Sequence, residues 1–403
     1  MNKILLVLVL FVFMLTTGGN SQTKVKENQQ MPVMAWIGVP ERETSIGRYQ
    51  EMRAAGITHS FSLFSNLVNM QKALDIARKT GIKLFVSCPE LKSDPEATVR
   101  RFMKHPALAG YYLRDEPERM EFPGLGEWVK RIRAVDDKHV CYLNLLPTFA
   151  EEHQLGVPTY REYVNTFIDE VPVQLLSFDN YPVIGKTNRD IRERWYENLE
   201  IFSEEARMAN KPFWAFVLTV AHSPYPVPTL AALRLQVYSN LAYGAQGIQF
   251  FTYWNLYDPG GYDFHNAPIT LNGRRTEVYD KLQLISAEIK DLSGVFLGAK
   301  LVSVAHTGEL IPFGTRRLSV LPDPVQLLET KGMGAVVSVL KKENETFLVV
   351  VNRDLTDQMS LSLKCKPGVR KVLKDGSAVP VEKYEETLAI DPGDVAIYSW
   401  PDL

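Results

Sequence analysis

Short apolar runs alternate with amphipathic stretches from Val33 to about Gly298. The apolar runs, 33–39, 58–64, 83–87, 109–113, 140–145, 175–179, 212–218 and 247–252, predict eight strands. Between them apolar residues recur at helical spacing, as over 70–80 and through Trp128 and Arg131, and a closing helix is predicted over 277–291. Gly56, Gly81 and Gly247 precede strands, where a residue tolerant of the left-handed conformation suits a helix end. Eight strands separated by helices in roughly 265 residues has the size and rhythm of a (β/α)8 TIM barrel, here over 31–298. An open doubly wound sheet is the competing arrangement. It calls for a Gly-rich phosphate loop after the first strand, and none is present.

After Gly298 the helical period vanishes. Alternating runs over 335–340, 347–352, 359–363, 370–373, 387–390 and 395–400 are separated by turn signals such as Asp375-Gly376 and Pro392-Gly393-Asp394. This texture predicts a small antiparallel β-sandwich over 299–403, with no catalytic constellation in it. At the other end, Lys3 precedes an unbroken apolar run, 4–15, and then small residues. The run is short for a membrane span and reads as an export signal over 1–22, followed by a disordered leader over 23–30. A periplasmic or extracellular location is expected. No cysteine follows the run, which argues against a lipid anchor, and no later segment is long and apolar enough to span a membrane.

A net charge of −2, with both signs interspersed, argues against a nucleic-acid partner. Cys88, Cys141 and Cys365 show neither metal-ligand spacing nor a disulfide framework, and read as small apolar fillers. No His/Asp/Glu grouping has metal-site spacing and no Gly-x-Ser-x-Gly elbow occurs, so neither a metal, a cofactor nor a serine nucleophile is expected. A monomer or weak oligomer is expected.

In a barrel of this kind the site lies at the C-terminal ends of the strands. Those ends carry Trp36, Glu90, Asp115-Glu116, Asn144, Asp179-Asn180-Tyr181, His222, Tyr225 and Tyr253-Trp254-Asn255. Carboxylates and amides suit sugar hydroxyls, flat aromatics suit the apolar faces of sugar rings, and glycoside cleavage needs two carboxyl groups. A carbohydrate substrate is therefore expected. The fourth strand stops at Arg114-Asp115-Glu116-Pro117, because proline lacks an N–H and disfavours helix at the preceding residue. Glu116 is thereby left at a strand tip, where an ionised Asp115 beside it would raise its pKa and keep it a general acid. The alternative is a carboxylate that only ends the strand or pairs with a surface arginine. Asp179 is the candidate second carboxyl, and its alternative role is as the buried partner of an inward-reaching Arg114. Glu90, Asp258 and Asp263 are weaker candidates. Asp115, Trp36, Asn144, Asn180, Tyr181, His222, Tyr253 and Trp254 are expected to bind substrate. Core packing or a plug in the barrel are the competing roles for Trp254 and Trp36.

The Arg-Asp-Glu-Pro order resembles the Asn-Glu-Pro that ends the fourth strand in clan A glycoside hydrolases. The resemblance implies a TIM-barrel O-glycosyl hydrolase with Glu116 as acid/base and Trp254 as the floor of the cleavage subsite. The 348–353 run and the ending at 392–398 resemble the β-domains that follow the barrel in many exported members. The chain departs from that pattern in two places: Asp115 replaces the Asn, and no carboxylate occurs anywhere over 211–229, where the strand-seven nucleophile would stand. A carbohydrate-binding barrel that does not cleave is therefore the second reading.

Overall fold

The computed structural model describes residues 30–257, 260–381 and 384–402. The expected export signal, almost all of the leader, and Asp258 lie outside the described residues. Eight parallel strands form one sheet: β1 Val33–Trp36, β2 His59–Leu63, β3 Lys83–Ser87, β4 Leu108–Asp115, β5 Val140–Asn144, β6 Leu176–Phe178, β7 Phe213–Leu218 and β8 Ile248–Phe251. Their order runs β5-β4-β3-β2-β1-β8-β7-β6, and a parallel bridge from Leu145 to Phe178 joins the two ends. The fold is a TIM barrel.

Local chemistry explains the helices around it. In Leu67–Thr80 the Asn66 side chain accepts from the Val68 and Asn69 N–H groups, and Met70, Ala73, Leu74 and Ala77 form the buried stripe. Gly81 ends that helix at φ +73. Gly247 has a different role from the one predicted. The left-handed residue there is Gly244, whereas a Cβ on Gly247 would stand 2.6 Å from the Trp214 indole. The barrel interior is strongly aromatic, with Trp36, Phe61, Phe85, Tyr142, Trp214 and Phe216 in one cluster.

Antiparallel strands follow from Lys300 onward as a six-stranded and a three-stranded sheet, a β-sandwich. Strand Glu345–Asn352 is buried on both faces, which accounts for its unbroken apolar run. Leu348 and Val350 face the second sheet, while Val349 and Val351 join the barrel's outer core. Helix Leu230–Ala242 is apolar nearly all round because it lies between barrel and sandwich. Strands Lys300–His306 and Val325–Lys331, and a small hairpin of Val183–Ile184 with Asp190–Ile191, are additions to the sequence expectation. Among the described residues no helix is long and apolar enough to cross a membrane.

Candidate active site

The tip of β4 is built by a change of register. Between Tyr112 and Arg114 the strand slips against β5, so Leu113 joins the outer core and Arg114 stands at the surface. Asp115 turns inward, accepting from Asn144 Nδ2 at 3.1 Å. Glu116 then adopts φ +45. That left-handed backbone costs a non-glycine residue roughly 1–2 kcal/mol. Two anchors hold it there: the Glu116 N–H donates to Asn144 O at 2.8 Å, and the Tyr163 hydroxyl donates to Pro117 O at 2.6 Å.

Three carboxyl groups converge at this point. Glu116 hydrogen-bonds Asp179, and Asn144 Nδ2 donates to Asp179 Oδ1 at 2.7 Å. Burial first, then the Asp115 charge, push Glu116 up to about 7, against the pull of the Asp179 hydrogen bond and the Arg114 charge. Asp179 is raised well above its ordinary value by burial and by the Glu116 and Asp115 charges. Asp115 is raised by burial, against its Asn144 bond and Arg114. One proton shared by Glu116 and Asp179 relieves the repulsion between them, as expected of carboxyl groups in contact. Asp179 does not take its alternative role as the buried partner of Arg114. Arg114 grips Glu121 at 2.9 and 3.1 Å, because the register slip turns it away from the barrel axis.

A buried chain of donors positions this group from beneath. Tyr142 donates to Gln249 Oε1, Gln249 Nε2 donates to Ser177 Oγ at 2.8 Å, and Ser177 donates to Asn144 Oδ1 at 2.9 Å. The chain fixes the Asn144 amide with its Nδ2 toward both aspartates. Bonds running in one direction polarise one another, so each strengthens the next.

The other expected residues divide by burial. Tyr181 lies within the field of all three carboxyls and stacks on Phe251 at 5.8 Å. His222 packs against Tyr225, Phe251 and Phe264, its Nδ1 is buried with no partner among the described residues, and burial lowers its pKa. Trp36 is buried on the barrel axis against Phe61, Tyr112 and Phe216. Asn180 is buried, donating to Asn198. Tyr253 and Trp254 present no open face: Trp254 is 1% exposed, beneath the Arg48 guanidinium. The cause is that the β8 ladder ends at Phe251. Beyond it the chain stays bonded to the β1 side, Tyr253 N–H donating to Trp36 O and Trp254 N–H to Ile37 O. Of the weaker candidates, Glu90 lies beside the Cys88 thiol and Asp263 is exposed beside His265. The charges that move Glu116 are those of Asp115 and Arg114.

Sequence reasoning missed four residues here. Tyr112 and Phe251 are half-buried inward positions at the ends of β4 and β8. Doubled aromatics, Tyr111-Tyr112 and Phe250-Phe251, were the available signal. Arg192 and Phe149, from the loops after β6 and β5, stack at 4.1 Å and carried no signal in the sequence.

No protein-family model matches the chain, and no curated protein matches it in sequence. Solved structures do. Gan42B, a GH42 β-galactosidase from G. stearothermophilus, gives a TM-score of 0.60 at 8% identity, covering 93% of this chain and 99% of that one. A β-galactosidase from Bacillus circulans sp. alkalophilus gives 0.59 at 10% identity, covering 92% and 99%. With a β-galactosidase from the psychrophilic Marinomonas ef1 the TM-score is 0.46 at 13% identity, covering 66% of this chain and 60% of that one, less than two thirds of its length. The first two neighbours are glycoside hydrolases, and the property shared with them is the TIM-barrel fold.

Proposed function

We propose that the protein is a glycoside hydrolase acting on a poly- or oligosaccharide, with Glu116 as the general acid. One observation carries this: a half-buried carboxyl at the barrel mouth, in a strained backbone conformation, keeps its proton up to about pH 7. Such a group can protonate a leaving oxygen near neutrality. The fold shared with glycoside hydrolases supports the same class.

Asp179 is the companion carboxyl in this proposal. It is hydrogen-bonded to Glu116, whereas glycoside cleavage needs the two carboxyl groups to flank the scissile bond. A bound sugar must therefore part the pair before Asp179 can serve as base or nucleophile. Parting them lowers the Asp179 pKa by taking the Glu116 charge away. The contact favours the second reading, a barrel that binds carbohydrate without cleaving it, as does the end of β7, which carries no carboxylate.

Glycan screening followed by turnover of wild type, Glu116→Gln and Asp179→Asn separates the two. Glu116→Gln should lose about 10²–10⁴-fold in rate while still binding sugar, since Gln cannot deliver a proton. Full activity in Glu116→Gln removes it from the mechanism. A wild type that binds glycans and cleaves none establishes the second reading.

A further inference from the structure

Arg192 follows the hairpin inserted after β6. Its backbone N–H donates to Pro182 O at 2.7 Å. The guanidinium lies 4.1 Å over the Phe149 ring and 5.8 Å from the Tyr225 ring. Nη2 donates to the Tyr225 hydroxyl at 2.8 Å, and Nε to Tyr181 O at 3.4 Å. The planar group is thus held on one face and one edge, and Nη1 donates to nothing among the described residues.

No described carboxylate pairs with Arg192, although Asp190 and Glu193 are near it in sequence; its neighbour Arg194 is clasped by Glu197 instead. A half-buried guanidinium fixed by an aromatic ring and neutral acceptors, with donors left over, suits a ligand anion. Its place is the mouth itself. Tyr225, which it touches, feels the Asp179 and Glu116 charges, and Tyr181, whose carbonyl it binds, is two residues from Asp179. The carboxyl group there holds protons, so it repels an incoming anion weakly.

We propose that Arg192 anchors an anionic substituent of the saccharide, a uronic carboxylate or a sulfate ester, at the mouth beside Asp179. The inference rests on the glycosidase reading of that mouth and names its substrate class as an acidic glycan. The exposed part of the Phe149 ring, 47% exposed overall, extends the same surface as an apolar contact for a sugar ring.

Binding in the Glu116→Gln background to three oligosaccharides of equal length tests it: a neutral galacto-oligosaccharide, an oligogalacturonide and a sulfated carrageenan fragment. One or both acidic probes should bind more tightly than the neutral one, and which of them does so identifies the anion. Arg192→Met should then lower the acidic-to-neutral affinity ratio by on the order of ten- to a hundredfold, the span of one charge-assisted hydrogen bond. Arg192→Lys should keep part of that ratio, and melting temperatures check that each variant is folded. Equal binding of neutral and acidic probes, no binding of either acidic probe, or an equal loss for all three in Arg192→Met overturns the proposal; the last result would make Arg192 a brace for the hairpin. Wild-type turnover is read separately. Acidic-glycan binding without cleavage keeps the anchor and removes the hydrolase. Cleavage of neutral glycan with no acidic preference does the reverse.

Discussion

Asn144 reaches Asp179 with its side-chain amide at 2.7 Å, and the same nitrogen reaches Asp115 at 3.1 Å. One neutral donor thus serves two of the three carboxyls at the mouth, where a cation would ordinarily be expected. The relay through Ser177, Gln249 and Tyr142 holds that donor in place. Asn144→Ala should turn the Ser177 hydroxyl back on Tyr142 and leave both aspartates without their shared donor. We expect a loss of roughly 1–3 kcal/mol in stability. The Asp179 titration should move to higher pH, because the lost bond is one that lowers its pKa. Carbon-13 NMR titration of the carboxyl checks this, and an unmoved Asp179 would mean the relay does not tune the pair.

The raised carboxyl pKa values also predict how stability depends on pH. Glu116 moves from an ordinary 4.5 to about 7 on folding, so the folded protein binds the proton more tightly. Its contribution is fully present below about 4.5 and is lost as pH rises through 7. At about 1.4 kcal/mol per unit, the effect is on the order of 3 kcal/mol at most. Glu116→Gln should therefore gain melting temperature relative to wild type at pH 8 and lose that advantage at pH 5. A constant difference across that range would show that Glu116 is not shifted.

The barrel was legible because its strands are apolar runs between helices that carry a clear 3.6-residue stripe, as Leu67–Thr80 does. Glu116 was legible because Pro117 must end the strand. The alternative of an inward Arg114 fails because alternation along β4 continues inward only if no residue is inserted, and the slip beside Leu113 reverses the phase. Trp254 was misread because nothing in Thr252-Tyr253-Trp254 marks where the ladder stops. The strand Lys300–His306 was missed because much of it is exposed, leaving too little apolar contrast. The Glu116–Asp179 contact depends on the barrel closing between β5 and β6, which no local pattern encodes.

Arg114 gives a direct test of that reversal. Were it the buried partner of Asp179, its removal would cost about 3–5 kcal/mol. Its contact is with Glu121, and the two side chains are 47% and 34% exposed. Exposed pairs contribute about 0.2–1 kcal/mol. Arg114→Ala should therefore change the denaturation midpoint little. A loss above about 3 kcal/mol would restore the buried pair.

The aromatic residues at the end of β8 make the last comparison. Trp254 is closed off under Arg48, while Phe251 is half-buried, stacked on Tyr181 and packed against His222. If sugar meets the mouth there, Phe251 is the surface it meets. Trp254→Phe removes a buried indole whose Nε1 has no partner among the described residues, and with it the contact to Arg48. We expect it to lower stability by roughly 0.5–3 kcal/mol and to leave glycan affinity alone. Phe251→Ala removes the open ring, and we expect affinity to fall on the order of tenfold, the scale of one aromatic contact. Phe251→Leu keeps most of the buried volume, so it separates loss of the flat face from loss of packing. Isothermal titration with a glycan found by screening, read beside melting temperatures, decides between the two positions. Weakened binding in Trp254→Phe with intact binding in Phe251→Leu would place the sugar platform at Trp254 after all.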